Sequence, residues 1–344
     1  MTQPVAVNAP KPPMDERPLW DLLETALAYK AVLVAHSLGL FPLLADGPRT
    51  TAEICEALKI ARRPATALLA TGAATGLVAA HDGHYSLTPL AQTYLLESSP
   101  YYFGSFLNML IANDEFTSFE CTKQAVLTDR SQVYSGEEIF KSHEAQIALA
   151  QAFTHGMHGH SAGAAHGWPE VVDLSGCRLM LDVGGGSGAH AIGAAQRWPH
   201  LRAVIFDMPP VCEVAEGYIA CAGLDDRITT HAGDLWNDPF PPADVHFYAD
   251  IYHDWPPEKG RFLTKKSFDS LNPGGRIIIH ERLYNDEKTG PLATAAYAVA
   301  MLLWTEGQQY SGRELTAMLA EAGFTDIEIK PSFSYWSVVT GRRP

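Results

Sequence analysis

The chain has 344 residues, 47% hydrophobic and 19% charged, enough for two cores, and its formal charge of −14 argues against a protein that tracks nucleic-acid phosphates with clustered Lys and Arg. Its five cysteines (Cys55, Cys121, Cys177, Cys212, Cys221) are scattered without a C-x-x-C, which argues against a disulfide framework or zinc knuckle and points to reducing cytoplasm. No apolar run reaches the roughly 18 residues of a membrane span.

Residues 1–13 carry Pro4, Pro10, Pro12 and Pro13 with no basic segment before an apolar core, and read as a flexible tail rather than a signal peptide. From Leu19 to Leu44, apolar residues recur at three- and four-residue steps, predicting helices buried on more than one side. Thr50-x-x-Glu53 is a capping box opening a short helix, and Pro64 sits in the first turn of the next. Leu77–Ala80, Asp82-Gly83 and His84–Leu87 read as strand, turn and strand. Helix, helix, hairpin is a winged-helix pattern. Only Arg62 and Arg63 offer positive charge there, so the reading is structural or dimerising rather than DNA-binding.

Tyr101 to Gly167 reads as mostly helical and rich in aromatics and methionines, of which Phe153 and Met157 are candidate walls of a pocket. His155, His158, His160 and His166 crowd its end. Without cysteines or an ordered carboxylate pair they read as solvated or interface histidines rather than metal ligands. A domain boundary is placed near Gly167-Trp168-Pro169, giving a helical unit over 14–167 and a second unit over 168–344.

The second unit turns on Leu179–His190, where a strand-length apolar run ends in Asp182, Gly184-Gly185-Gly186-Ser187-Gly188 follow, and a helix begins. Glycines let backbone approach a ligand and the helix N-terminus presents unpaired N–H groups, so the stretch is a nucleotide cradle. Gly184-x-Gly186-x-x-Ala189 also satisfies the dinucleotide fingerprint, leaving a nicotinamide dehydrogenase and an S-adenosylmethionine (SAM) methyltransferase both open. Ala203–Phe206 is a buried-type strand ending at Asp207, an acid placed to accept ribose hydroxyls. Further strands end at Gly233-Asp234 and at Ala249, before His253. Strands alternating with helices at this spacing predict an α/β fold, a Rossmann-like parallel sheet covered on both faces, with ligands at the carboxyl ends of its strands.

Taken in order, Asp182–Gly188, Phe206-Asp207-Met208-Pro209, Gly233-Asp234, His253-Asp254-Trp255 and Leu271-Asn272-Pro273-Gly274-Gly275 resemble the SAM-dependent small-molecule O-methyltransferase family, with its winged-helix-like dimerisation domain. The resemblance implies that Gly184, Gly185, Gly186 and Gly188 hold the methionine portion of SAM, with Asp182 near its ammonium and Asp207 and Met208 at the ribose. Gly233, Asp234 and Leu235 would flank the adenine, and Trp255 would pack on it. It implies His253 as general base, with Asp254 beside the acceptor. A neutral imidazole is then required, because a phenol of pKa about 10 is protonated at neutral pH.

Acids flank that histidine in relatives. Glu281 matches the first, and the second falls on Gln309, which carries no charge; this leaves open Glu306 as a substitute, a base weakened because the acceptor is already acidic, or a different chemistry. The resulting expectation is an O-methyltransferase acting on an aromatic or enolic secondary metabolite, a homodimer through its N-terminal helices, and a metal-free site. The alternatives are a C- or N-methyltransferase, with or without a metal, a SAM-binding regulator, and a NAD-dependent oxidoreductase.

Overall fold

The computed structural model describes residues 13–133 and 144–344, and all but the last residue of the tail expected over residues 1–13 lies outside them. Two compact units meet in the chain at Ser99/Pro100. The first contains α1 (Arg17–Ser37), α2 (Leu40–Ala45), β1 (Arg49–Thr50), α3 (Thr51–Leu58), α4 (Arg62–Ala74), β2 (Val78–His81), β3 (His84–Leu87) and α5 (Pro89–Tyr94). α3 starts where the capping box places it, with the Thr50 hydroxyl accepting the Glu53 N–H and the Glu53 carboxylate accepting the Thr50 N–H. β2 and β3 pair antiparallel across Asp82-Gly83, and β1 pairs with the other edge of β3. Leu40, Phe41, Leu44, Ile54 and Leu69 fill the interior of this unit. α1 departs from the expected burial: Leu19, Leu22, Leu23 and Leu27 are each about 60% exposed or more, because nothing among the described residues covers that face.

The second unit opens with α6 (Gly104–Ala112), α7 (Phe119–Thr128) and α8 (Glu144–Gly167). It continues through β4 (Leu179–Val183), α9 (Ala189–Arg197), β5 (Arg202–Asp207), α10 (Pro209–Cys221), β6 (Ile228–Ala232), β7 (Val245–Ala249), α11 (Pro257–Ser270), β8 (Arg276–Arg282), α12 (Leu292–Trp304), α13 (Gly312–Ala322), β9 (Thr325–Phe333) and β10 (Trp336–Arg342). The seven strands run in the order β6-β5-β4-β7-β8-β10-β9. Alternation along each strand divides the core. Met180, Phe247, Ile278 and Val338 pack toward α9 and α10, whereas Leu181, Tyr248, Ile277, Ile279 and Val339 pack toward α11 and α13.

Two features correct the sequence reading. The sheet is mixed rather than parallel throughout: β6 to β8 are parallel, but β10 runs antiparallel to both β8 and β9. The C-terminal hairpin turns at Ser334-Tyr335, with Ser334 at φ 51°, and inserts its second strand beside β8. The boundary near Gly167-Trp168-Pro169 also falls inside the second unit. Trp168 is no linker residue; it is fully buried and stacks on Phe247 at 4.4 Å.

α8 reaches α9 closely enough that a Cβ on Gly193 would stand 2.3 Å from the Ala165 carbonyl oxygen. That contact fixes the helix carrying Phe153 and Met157 against the glycine turn's helix. Gly193→Ala is expected to destabilise the protein by about 1–3 kcal/mol, read as a fall in the urea midpoint.

Candidate active site

The carboxyl ends of β4, β5, β6, β7 and β8 open into one cavity of about 1180 Å³, larger than a single drug-sized ligand needs. One end is the glycine turn. Gly184 and Gly188 adopt left-handed φ of 66° and 76°, and a Cβ would strike Ile251 at 2.5 Å in the first case and Ile205 at 2.3 Å in the second. Asp207 secures the turn, its Oδ2 accepting the Gly186 N–H at 2.9 Å and its Oδ1 the Met208 N–H at 2.7 Å. Asp182 is buried on the cavity wall with Oδ2 unpartnered. Burial pushes Asp182 up to about 7, and pushes Asp207 up to about 6 against its hydrogen bonds. Two costly buried acids, one with an open oxygen, suit a ligand bearing a cation and hydroxyl donors.

Gly185, Gly186, Met208, Gly233, Asp234, Leu235 and Trp255 also line the cavity, whereas Gly188 stands at the start of α9. Asp234 closes its own turn, taking the Trp236 N–H and the Asn237 side-chain amide. Trp255 meets Trp236 edge to face at 4.8 Å, with Lys259 Nζ 4.1 Å from its ring centroid.

The other end is built around His253. Its Nδ1 lies 2.6 Å from Glu281 Oε2, and Glu281 Oε1 accepts the backbone N–H groups of Tyr252 and His253. Its Nε2 lies 3.5 Å from Asp254 Oδ1, and Asp250 Oδ1 is 3.9 Å from Nδ1. Burial by itself would lower the imidazole, but Glu281, Asp254 and Asp250 outweigh it and raise His253 to about 9. A proton must therefore leave the ring before it can take one from an acceptor. Glu281 foremost, then Asp254 and Asp250, favour the imidazolium, while burial pushes Asp254 itself up to about 7. Asp250, His253 and Glu281 bring ligand atoms within 4.8 Å of one another. The 2.6 Å contact between His253 Nδ1 and Glu281 Oε2 is a hydrogen bond.

Phe153, Met157 and Asp254 lie on the cavity wall as expected, together with Phe106, Tyr297 and Trp304. Gln309 makes no hydrogen bond to His253. It is buried away from the cavity with both amide atoms unpartnered, and Glu306 stands exposed at the wall. The acid near His253 that the sequence reading missed is Asp250, held at φ 54° with Oδ1 accepting the Trp336 indole N–H at 3.1 Å. The histidines of α8 are neither solvated together nor gathered as ligands. His155 and His158 bond Tyr218 and Ser187, His160 bonds Arg282, and His166 bonds Gln196.

Residues 119–325 match the O-methyltransferase domain family and residues 20–97 the O-methyltransferase dimerisation domain. The chain belongs to the O-methyltransferase family. It is 34% identical over 92% of both chains to the 3-hydroxy-5-methyl-1-naphthoate 3-O-methyltransferase of Streptomyces sahachiroi. It is also 32% identical to the L-tyrosine C(3)-methyltransferase of Streptomyces lavendulae, over 91% of this chain and 88% of that one. Human N-acetylserotonin methyltransferase, solved in complex with SAM, superposes with a TM-score of 0.85 at 26% identity, covering 98% of this chain and 99% of that one. The helical unit and the α/β unit of this methyltransferase thus correspond to the two matched domains. Among the described residues no helix is long and apolar enough to cross a membrane.

The carboxylate cluster makes a direct prediction for this family member. The His253 imidazole, followed by nuclear magnetic resonance, should titrate near pH 9. Asp254→Asn should move that titration downward, because it removes one of the charges that favour the imidazolium.

Proposed function

We propose that this protein transfers the methyl group of SAM to a hydroxyl of an aromatic or enolic small molecule, a secondary metabolite. The observation that carries this reading is the shared cavity, with an acid-lined glycine cradle at one end and the His253–Glu281 pair at the other. SAM supplies an electrophilic methyl on a sulfonium. Asp182 receives its ammonium, Gly184 to Gly188 admit its backbone-like portion, Asp207 and Met208 hold the ribose, and Gly233, Asp234, Leu235 and Trp255 enclose the adenine. Ala249, where many plant relatives carry lysine, makes that hold slightly weaker.

At the acceptor end, Phe153 and Met157 wall the ring, and His253 Nε2 with Asp254 faces the hydroxyl. His253 is the general base, Glu281 orients it through Nδ1, and Asp250 supplies the second flanking carboxylate that Gln309 lacks. Because the resting imidazole is protonated, the reactive site holds one proton fewer than the resting one. Holding acceptor oxygen and methyl in line contributes much of the remaining acceleration. The five cysteines are free, in keeping with cytoplasmic work. The bare apolar face of α1 supports a homodimer through the matched dimerisation domain.

The test is transfer of labelled methyl from SAM to phenols, hydroxyquinones and enolic keto acids, with product fragmentation and a parallel sample in chelator. Label on oxygen, insensitive to chelator and reduced about 10²–10⁴-fold in kcat by His253→Ala, is expected. The wild-type kcat/KM should climb with pH toward about 9 rather than levelling near 6.5. Label on carbon, as the similarity to a tyrosine C-methyltransferase allows, or activity lost to chelator, would overturn the base mechanism. Light scattering at micromolar concentration should give a dimer, and a monomer would contradict the role assigned to α1.

A further inference from the structure

His253 is protonated at rest and its side chain is only 3% exposed, so a proton that leaves the ring has to pass through a neighbouring group. The Nδ1 side is closed. Glu281 Oε2 takes the Nδ1 proton at 2.6 Å, its Oε1 holds two backbone N–H groups, and its side chain is 2% exposed. Asp250, 3.9 Å from Nδ1, is 5% exposed and accepts the Trp336 indole N–H. Behind it stands His160 of α8, which burial keeps neutral. The His160 Nε2 accepts from Arg282 Nη2 at 2.6 Å, and a guanidinium only donates, so the ring carries its proton on Nδ1 and has no nitrogen free for another. A proton reaching Asp250 goes no further.

The Nε2 side is open. Asp254 Oδ1 lies 3.5 Å from Nε2, a gap that a small rotation or one water spans. The Asp254 side chain is 33% exposed and lines the cavity. Tyr297 of α12 meets the imidazole edge-on at 5.3 Å, but burial keeps its phenol protonated at neutral pH. Among the described residues, Asp254 is thus the one carboxylate at ion-pairing distance from His253 that also reaches open space. Burial pushes it up to about 7, which narrows the step down from a ring at about 9.

We propose that Asp254 is a proton relay, carrying the His253 proton from Nε2 to the water that enters the cavity when the acceptor site is open. This rests on the reading that His253 is the base. In the step the Nε2–H bond breaks and its electron pair stays on the ring, while an O–H bond forms at Oδ1. That proton then passes to water, which restores the carboxylate. Asp254 is a further catalytic residue, because it touches the nitrogen that takes the acceptor's proton.

The experiment reads exchange of the His253 Nε2 proton with water, by magnetisation transfer in full-length protein carrying ¹⁵N-labelled histidine, the signal being assigned by its loss in His253→Gln. The working pH is about 7.5, where the ring is protonated and most of Asp254 is ionised. Asp254→Ala should slow the exchange at least about tenfold, and added formate, entering the space left by the side chain, should restore most of it. Asp254→Glu should keep part of the rate. Losing a nearby negative charge makes the imidazolium more acidic and by itself would quicken exchange, so slowing that formate relieves follows from loss of the relay and not from the change in charge. Retained S-adenosylhomocysteine binding in each variant shows that the cofactor end is still folded. Unchanged or faster exchange in Asp254→Ala, or slowing that formate does not relieve, would overturn the proposal. The measurement needs no turnover, so absence of methyl transfer leaves its result standing. Unchanged exchange in Asp254→Ala, together with O-methylation lost in His253→Ala, would remove the relay and keep the base.

Discussion

A buried hydrogen bond between His253 Nδ1 and Glu281 Oε2, 2.6 Å long, ties the turn after β7 to the end of β8, and the acceptor end of the cavity depends on it. The same carboxylate fixes the backbone of that turn through two N–H groups. The imidazole cannot swing without breaking its bond to a buried carboxylate that also holds the backbone beneath it. Glu281, followed by Asp254 and Asp250, sets its charge. The burial that would ordinarily strip a histidine of its proton is overcome by their combined field, so the position is a strong base whose conjugate acid predominates at rest.

The opposite end carries the complementary problem. Asp182 and Asp207 are carboxylates forced out of water, and both are pushed toward their neutral forms. A ligand bringing positive charge and hydroxyl donors restores what burial removed, and this favours binding through the protein's own unsatisfied groups. The glycine turn makes the approach geometrically possible, since side chains at Gly184 and Gly188 would collide with Ile251 and Ile205. The cavity thus joins a site short of a cation to a site that already holds one.

The resemblance places a second acid at 309, where this chain has Gln309, and the structure brings Asp250 near His253. An acid at 309 would approach from the segment before α13, but Gln309 is buried without a polar partner and the cavity loses nothing to it. Asp250 comes instead from the turn after β7. It holds an unfavourable left-handed backbone with its side chain clamped by Trp336, and that cost is met only because tertiary contacts over-determine it.

The sequence by itself determined what is local. The capping box at Thr50, the hairpin at Asp82-Gly83, the strands that end at Val183, Asp207 and Ala249, and the glycine turn follow from short-range backbone chemistry. His253 and Glu281 were legible because their motifs stand in a recognisable order, although spacing says nothing of the three acids that hold the proton on the ring. Only the tertiary structure decided the rest. β10 enters the sheet between β8 and β9, bringing Trp336 onto Arg282 and Asp250, while α8 and α12 supply His160 and Tyr297 from distant parts of the chain. No periodicity relates these residues. Charge in a buried site is set by separations of a few ångströms between side chains far apart in sequence, and those separations exist only once the sheet has closed.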